Sequence, residues 1–240
     1  KSAMEETFQS SNARAMNQLL NTKLRRDAAL LRKAAAEGRE TRGMKQEMMG
    51  EIYRLLCMCF GVPPKTFDFE FRDKDRNYHI DRNLTPHGFY EKYVGMDLAG
   101  DYISIINSPT KDKPFGRSYT VDYIGNVAEG RPVRYYNLPM EELKKLIVKQ
   151  LSDGEPVWFG SDVSKMGDRK LGVWSTDCFD FEGSFGMDFY MEKGDSLDYR
   201  ESAMNHAMVI TGVCLDEQGE PTKWKIENSW SDENGDKGYY

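Results

Sequence analysis

The chain has 240 residues, 39% hydrophobic and 30% charged, with 33 Lys and Arg against 39 Asp and Glu for a formal net charge of −6. That length buries a substantial core in one or two domains, and no apolar run approaches the roughly 18 residues of a membrane span. Four cysteines without regular spacing do not make a disulfide framework, so a cytoplasmic protein is expected.

In chain order, Ser10 or Ser11 is placed to cap a helix in which Ala13, Met16, Leu20, Leu24, Ala28, Leu31 and Ala35 recur at three- and four-residue spacing. A second helix is predicted from about Lys45 to Phe60, with Met48, Ile52, Leu55, Leu56 and Cys59 inward, stopping at Gly61 before Pro63-Pro64. Cys57 and Cys59 then sit in an apolar helix without a second ligand pair, which favours buried thiols over a metal site. Residues 1–60 carry 11 Lys and Arg against 7 Asp and Glu, whereas residues 161–240 carry 8 against 17. The basic front, with Lys23, Arg25, Arg26, Arg32, Lys33, Arg39 and Arg42, reads as a solvated helix face; attraction of nucleic acid is the competing reading.

The middle of the chain alternates short runs with turns. Phe67, Phe69 and Phe71 alternate with polar residues as in a half-buried strand, and Asp73-Lys74-Asp75-Arg76-Asn77 is a turn before a strand at 78–80. Thr85-Pro86 has the cap and the proline of a helix start, with a stop near Gly95. His79 and His87 have no recognisable orienting partner and read as surface or turn residues. A third helix is predicted at 139–151, packing through Leu143, Leu146, Ile147 and Leu151, with Glu141 and Glu142 at its positive end. It leads into a strand at 156–160, followed by Asp162, which reads as a structural loop carboxylate, with a place near the cleft as the alternative. Trp158 and Trp174 read as packing residues.

Two rear segments carry the chemistry: Asn205-His206-Ala207-Met208-Val209-Ile210-Thr211-Gly212 and Trp224-Lys225-Ile226-Glu227-Asn228-Ser229-Trp230. Each sets a polar side chain beside an apolar, β-favouring run, and the acidic stretch 216–221 between them is a loop, so neighbouring antiparallel strands are expected. A thiol nucleophile needs an imidazole to take its proton and return it to the leaving amine. That imidazole needs an acceptor on its far nitrogen to set tautomer and aim. His206 and Asn228 are the candidates, with Trp230 covering the pair. A core histidine and a strand-ending amide are the plain alternative.

The segments Asn205-His206-Ala207 and Glu227-Asn228-Ser229-Trp230 resemble the His and Asn boxes of the papain-like cysteine peptidases. The opening Glu6-Thr7-Phe8-Gln9-Ser10-Ser11-Asn12, the stretch Pro156-Val157-Trp158-Phe159-Gly160-Ser161-Asp162-Val163 and the run Lys170-Leu171-Gly172 narrow the resemblance to the bleomycin hydrolase and aminopeptidase C branch, over essentially the whole chain. The resemblance implies an α+β, papain-like fold: a helical segment at 1–64, a mixed α/β insertion at 65–137 and a β-rich lobe at 138–240 carrying His206 and Asn228. It also implies removal of N-terminal residues from peptides by Cys/His/Asn catalysis, no cofactor and no metal, and a homohexamer. The departure is the nucleophile. Papain-like enzymes carry a Cys-Gly-Ser/Ala-Cys-Trp type signature about 130–150 residues before the histidine, and none of Cys57, Cys59, Cys178 and Cys214 has that setting. The chain therefore reads as an internal piece, inactive alone, with the thiol-bearing part upstream of Lys1 and further chain beyond Tyr240. A non-catalytic peptide-binding relative and a nucleic-acid-binding assembly subunit are the competing readings.

Overall fold

The structure of the chain, a computed structural model, describes residues 13–125 and 130–240. The expected opening motif at 6–12, with its Ser10 or Ser11 cap, lies outside the described residues. Contacts gather into two units, residues 1–96 and 97–240.

In the first unit, α1 (Arg14–Ala36) and α2 (Arg42–Phe60) pack together. Helix α1 ends in a Schellman turn: Gly38, at φ 70°, donates to the Ala35 carbonyl and Arg39 to that of Ala34. The buried seam of α1 departs from the apolar spacing. Leu24, Ala28 and Ala35 are exposed, while Lys23, Asp27 and Ala34 share the inward face with Met16, Leu20 and Leu31. The cause is an ion-pair link between the helices. Lys23 Nζ lies 2.5 Å from the Asp27 carboxylate and 2.5 Å from that of Glu51 on α2, so two polar residues take seam positions that the pattern assigned to Leu and Ala. On α2, Ile52 is buried as expected, but Cys59 is exposed and Cys57 half-buried; Cys59 lies in the last helical turn, where cover thins. No group of His, Cys, Asp and Glu among the described residues is arranged to hold a metal ion.

Strands β1 (Phe67–Arg72) and β2 (Tyr78–Leu84) form the expected hairpin, with strict alternation of burial along β1. Asp73 locks the turn, accepting from the N–H groups of Asp75 and Asn77 and from Asn77 Nδ2. His79 does have a partner, Asp73, at 2.9 Å, and its ring stacks on Phe71; the pair is an exposed turn lock. The next helix, α3 (Pro86–Phe89), is capped by Thr85 Oγ1 and continues as a π-helical turn to Val94. His87 is exposed.

The second unit opens with β3 (Ser104–Ile106), β4 (Arg117–Tyr119) and β5 (Tyr135–Asn137), in the order β3-β5-β4, the first pair parallel and the second antiparallel. Strands this short are tied by one side chain. Asn137, fully buried, accepts from the Ser108 N–H at 2.8 Å and donates to the carbonyls of Ser108 at 2.9 Å and Lys113 at 2.7 Å. Helix α4 (Met140–Ser152) follows, with Leu143, Ile147 and Leu151 half-buried and Leu146 exposed, Val148 being half-buried instead.

Then come β6 (Val157–Ser161), the small hairpin β7 (Gly167–Asp168) and β8 (Val173–Trp174), the short helices α5 (Phe181–Phe185) and α6 (Lys193–Asp198), and finally β9 (His206–Leu215) and β10 (Pro221–Glu227). Strands β10-β9-β6 form one antiparallel sheet, against which α4 packs. The register Val157↔Ile210, Phe159↔Met208 and Ser161↔His206 puts these six side chains on one face. Met208 and Ile210 are buried there. Trp158, expected to pack, points from the other face and is 78% exposed, because strand alternation opposes it to the Met208 side. No helix among the described residues is long and apolar enough to cross a membrane.

Replacing Asn137 by Ala strands one N–H and two carbonyls of the half-buried residues Ser108 and Lys113. Asn137→Ala should lower unfolding free energy by about 2–4 kcal/mol, read from denaturant midpoints; a loss under about 0.5 kcal/mol would contradict the tie.

Candidate active site

His206 opens β9 and Asn228 directly follows β10. Antiparallel partners share a face, so the geometry depends on register. Along most of the ladder Lys223, Trp224 and Lys225 oppose Cys214, Val213 and Gly212. The register then shifts, and Ile226 opposes Ile210 and Glu227 opposes Val209. The extra residue of β9 at Thr211 is a β-bulge. Continuing the shifted register sets Asn228 across from Met208, on the face that carries His206.

The two side chains meet there: His206 Nε2 lies 2.8 Å from Asn228 Oδ1. The same oxygen accepts from the Ser229 N–H at 2.7 Å, which identifies it as the amide oxygen. An oxygen cannot donate, so the proton resides on Nε2, and the lone pair of the neutral ring is on Nδ1. Nδ1 makes no hydrogen bond to any described residue. His206 is half-buried, neither sealed nor turned outward. Asn228 Nδ2 is buried and has no partner among the described residues.

Trp230 lies over this pair, its ring 4.8 Å from that of His206 and 26° from parallel. The indole is held by a ring cluster, with Trp174 at 5.7 Å and Tyr240 at 6.0 Å, and by the Arg169 guanidinium 4.2 Å from its centroid. The loop carrying Trp230 is closed behind it. Asn228 N–H donates to the Gly238 carbonyl, and Ile226 and Tyr240 exchange both backbone bonds at 2.8 Å. The turn joining β7 to β8 meets this loop at two glycines. A Cβ on Gly172 would lie 2.4 Å from Gly235 Cα, and both residues have positive φ, 70° and 61°.

Asp162, just past β6, is more than a loop carboxylate in passing. It accepts from Ser164 N–H and Oγ–H, Ser202 Oγ–H and Asn205 Nδ2–H. Burial pushes its carboxyl pKa up, but the hydrogen bonds from Ser164, Ser202 and Asn205 together bring it down to about 2. A folded-state pKa below the unfolded value means stabilisation present above about pH 4 and lost as pH falls toward 2.

Of the residues singled out by sequence, His206, Asn228 and Trp230 come together. Trp174 does pack, against Trp230 and Tyr240. Arg169, Tyr240 and the Asp162 network were not foreseen, because each acts across loops distant in sequence. No cysteine is hydrogen-bonded to His206 or Asn228 among the described residues. Cys214 is eight residues along β9 from His206, about 26 Å at strand rise; the Cys178 thiol leans on the Val173 carbonyl at 3.9 Å; Cys57 and Cys59 belong to the first unit. A cleft of about 1300 Å³ in this unit is lined by Asp162, Trp174, Met208, Ile226 and Tyr240 among others, and neither His206 nor Asn228 lines it.

The paired glycines give a direct check on the ring cluster. Gly172→Ala adds a strained φ and a clash worth about 1–3 kcal/mol, so the thermal midpoint should fall and tryptophan emission should shift to the red as Trp174 parts from Trp230. Unchanged emission in a folded variant would show that the loops do not set the cluster.

A family model described as the Peptidase C1-like family matches residues 1–240. Aminopeptidase C of Listeria innocua serovar 6a is 50% identical over 240 residues, covering 100% of this chain and 54% of that protein. Aminopeptidase C of Lactobacillus delbrueckii subsp. lactis is 51% identical over 243 residues, with the same shares. The chain thus spans about half the length of the curated relatives it matches. The crystal structure of pepw from Lactobacillus rhamnosis HN001 superposes with a TM-score of 0.93 at 52% identity, over 99% of this chain and 53% of that one. The α+β architecture, with its His and Asn strands side by side, is therefore that of a papain-like peptidase, and the chain belongs to the Peptidase C1-like family.

Proposed function

We propose that residues 97–240 carry the imidazole–amide half of a cysteine peptidase active site, and that the complete enzyme removes N-terminal residues from peptides. The observation that carries this reading is the 2.8 Å contact of His206 Nε2 with Asn228 Oδ1, which leaves the basic Nδ1 without a partner among the described residues. The relatives named Aminopeptidase C support the aminopeptidase part.

The chemistry follows from that arrangement. Nδ1 of His206 takes the proton of a thiol, and the thiolate attacks the scissile carbonyl carbon. The imidazolium that forms donates through both nitrogens, one to the substrate side and one to Asn228 Oδ1, so the amide holds the ring in place in both protonation states. As the C–N bond breaks, Nδ1–H returns its proton to the leaving amine. Water, deprotonated by the same nitrogen, then cleaves the thioester and regenerates the thiol. Trp230 keeps solvent from competing for the Nε2–Oδ1 bond. The thiol comes from a segment outside residues 1–240, so this chain by itself is expected not to turn over. A cytoplasmic setting and a homohexamer, both expectations of the family resemblance, complete the proposal; no cofactor takes part.

The test uses the enzyme that includes the thiol-bearing segment, assayed on aminoacyl reporter substrates. His206→Ala should lower kcat by about 10³-fold or more, and Asn228→Ala by about 10- to 100-fold with KM little changed. A thiol alkylator should abolish turnover. Activity that survives alkylation, or a His206→Ala enzyme as fast as the parent, would remove the reading; peptide binding without turnover by the unmodified enzyme would favour a non-catalytic relative.

A further inference from the structure

The imidazole of His206 is mounted at a precarious place, the first residue of a strand. Ser161↔His206 is the last pair of the β6–β9 ladder, so ladder hydrogen bonds hold the backbone on one side only. On the other side lies the loop 199–205, held by a few backbone bonds, among them Asn205 N–H to the Ser161 carbonyl, and by a set of side chains.

Asp162 is the centre of that set. Its Oδ1 accepts from Asn205 Nδ2–H at 2.8 Å, Ser164 N–H at 3.0 Å and Ser164 Oγ–H at 2.5 Å, and its Oδ2 from Ser202 Oγ–H at 3.0 Å. Asn205, the residue before His206, is also held through its own backbone and oxygen: its N–H donates to the Ser161 carbonyl, and its Oδ1 accepts from Val163 N–H, each at 3.1 Å. A second tie joins the same two segments, Lys165 on one to Glu201 on the other. These two are also the charged neighbours of the Asp162 network on its own flanks, and they neutralise each other.

We propose that Asp162 is a positioning residue of the hydrolytic site: by clamping 202–205 to the end of β6 it fixes the entry of β9, and with it the direction in which His206 presents Nδ1. This rests on the reading of His206 as the proton acceptor for the thiol. Its four donors all come from the two segments it joins, three on Oδ1 and one on Oδ2, and none belongs to His206 or Asn228. Nor does it touch the imidazole. Its effect passes through one residue of backbone, and a displacement near 1 Å at a proton-transferring group is enough to cost about 100-fold in rate.

The experiment compares Asp162→Ala, Asp162→Asn and His206→Ala in the complete enzyme with its thiol present. Three quantities are read: kcat and KM on an aminoacyl reporter, the pH dependence of thiol alkylation by iodoacetamide, and the thermal midpoint. Asp162→Ala should lower kcat about 10- to 100-fold with KM within about twofold. The acid limb of alkylation should move to higher pH, because a misdirected imidazole stabilises the thiolate less. Asp162→Asn keeps one acceptor oxygen and turns the other position into a donor facing Asn205 or Ser202; it should show the same changes in smaller degree, and it serves as the test if the alanine variant does not fold. A folded variant with parental kcat and alkylation profile overturns the proposal. So does a loss of rate that tracks only the fraction of folded enzyme, with each remaining site alkylated as in the parent. If instead His206→Ala keeps parental activity and alkylation, the reading of the site itself fails, whatever Asp162 does.

Discussion

The bond from His206 Nε2–H to Asn228 Oδ1 exists because β9 contains one residue more than its partner at Thr211. Side chains alternate with period two along a strand, so a slip of a single residue exchanges faces. In the register of Trp224↔Val213 and Lys225↔Gly212, the strand would carry Asn228 opposite Val209, on the face away from His206. The shift to Ile226↔Ile210 brings it to the His206 side. Two ends are served by the one bulge, since the same shift aligns Ile226 with the buried Ile210. Packing and the polar pair therefore select the same pairing.

Around that bond, buried and half-buried polar groups fasten segments that strand pairing leaves open. Only Ala34, Ile52, Met208 and Ile210 are buried apolar side chains among the described residues. Asn137 fastens the β3-β5-β4 sheet, Lys23 links Asp27 with Glu51, and Asp162 fastens the loop before β9. Each is a buried or half-buried polar group whose donors and acceptors are matched, and such groups define geometry because a misplaced one is left unpaired at a cost of about 1–3 kcal/mol. Aromatic stacking serves the same purpose at Trp230, where Arg169, Trp174 and Tyr240 limit the orientations open to the indole.

Elements governed by local periodicity were legible in the residues. The Phe67-Phe69-Phe71 strand, the Thr85-Pro86 helix start, the Gly61 stop and the pairing of the His206 and Asn228 strands all follow from side-chain alternation and backbone chemistry acting within a few residues. The misreadings share a cause. Leu24, Ala28 and Ala35 look like seam residues by hydrophobicity, yet the Lys23 link rotates the seam toward Asp27 and Ala34. Trp158 is apolar enough to suggest packing, but the face it occupies is decided by the partner of β6. His79 seemed unpartnered because Asp73 reaches it across a hairpin turn.

The sequence by itself determined which residue types could do acid–base work, that His206 and Asn228 each adjoin a strand, and that a tryptophan follows the amide. Tertiary structure alone decided that these groups meet. It chose the bulged register, placed the proton of the imidazole on Nε2 by offering an oxygen there, brought Arg169 and Tyr240 to the indole, and joined Asp162 to Ser202 and Asn205 of the loop before β9. The physical reason is range: strand and helix signals act over a few neighbours, whereas hydrogen bonds such as Asp162 to Ser202, |i−j| = 40, exist only after the sheet has closed.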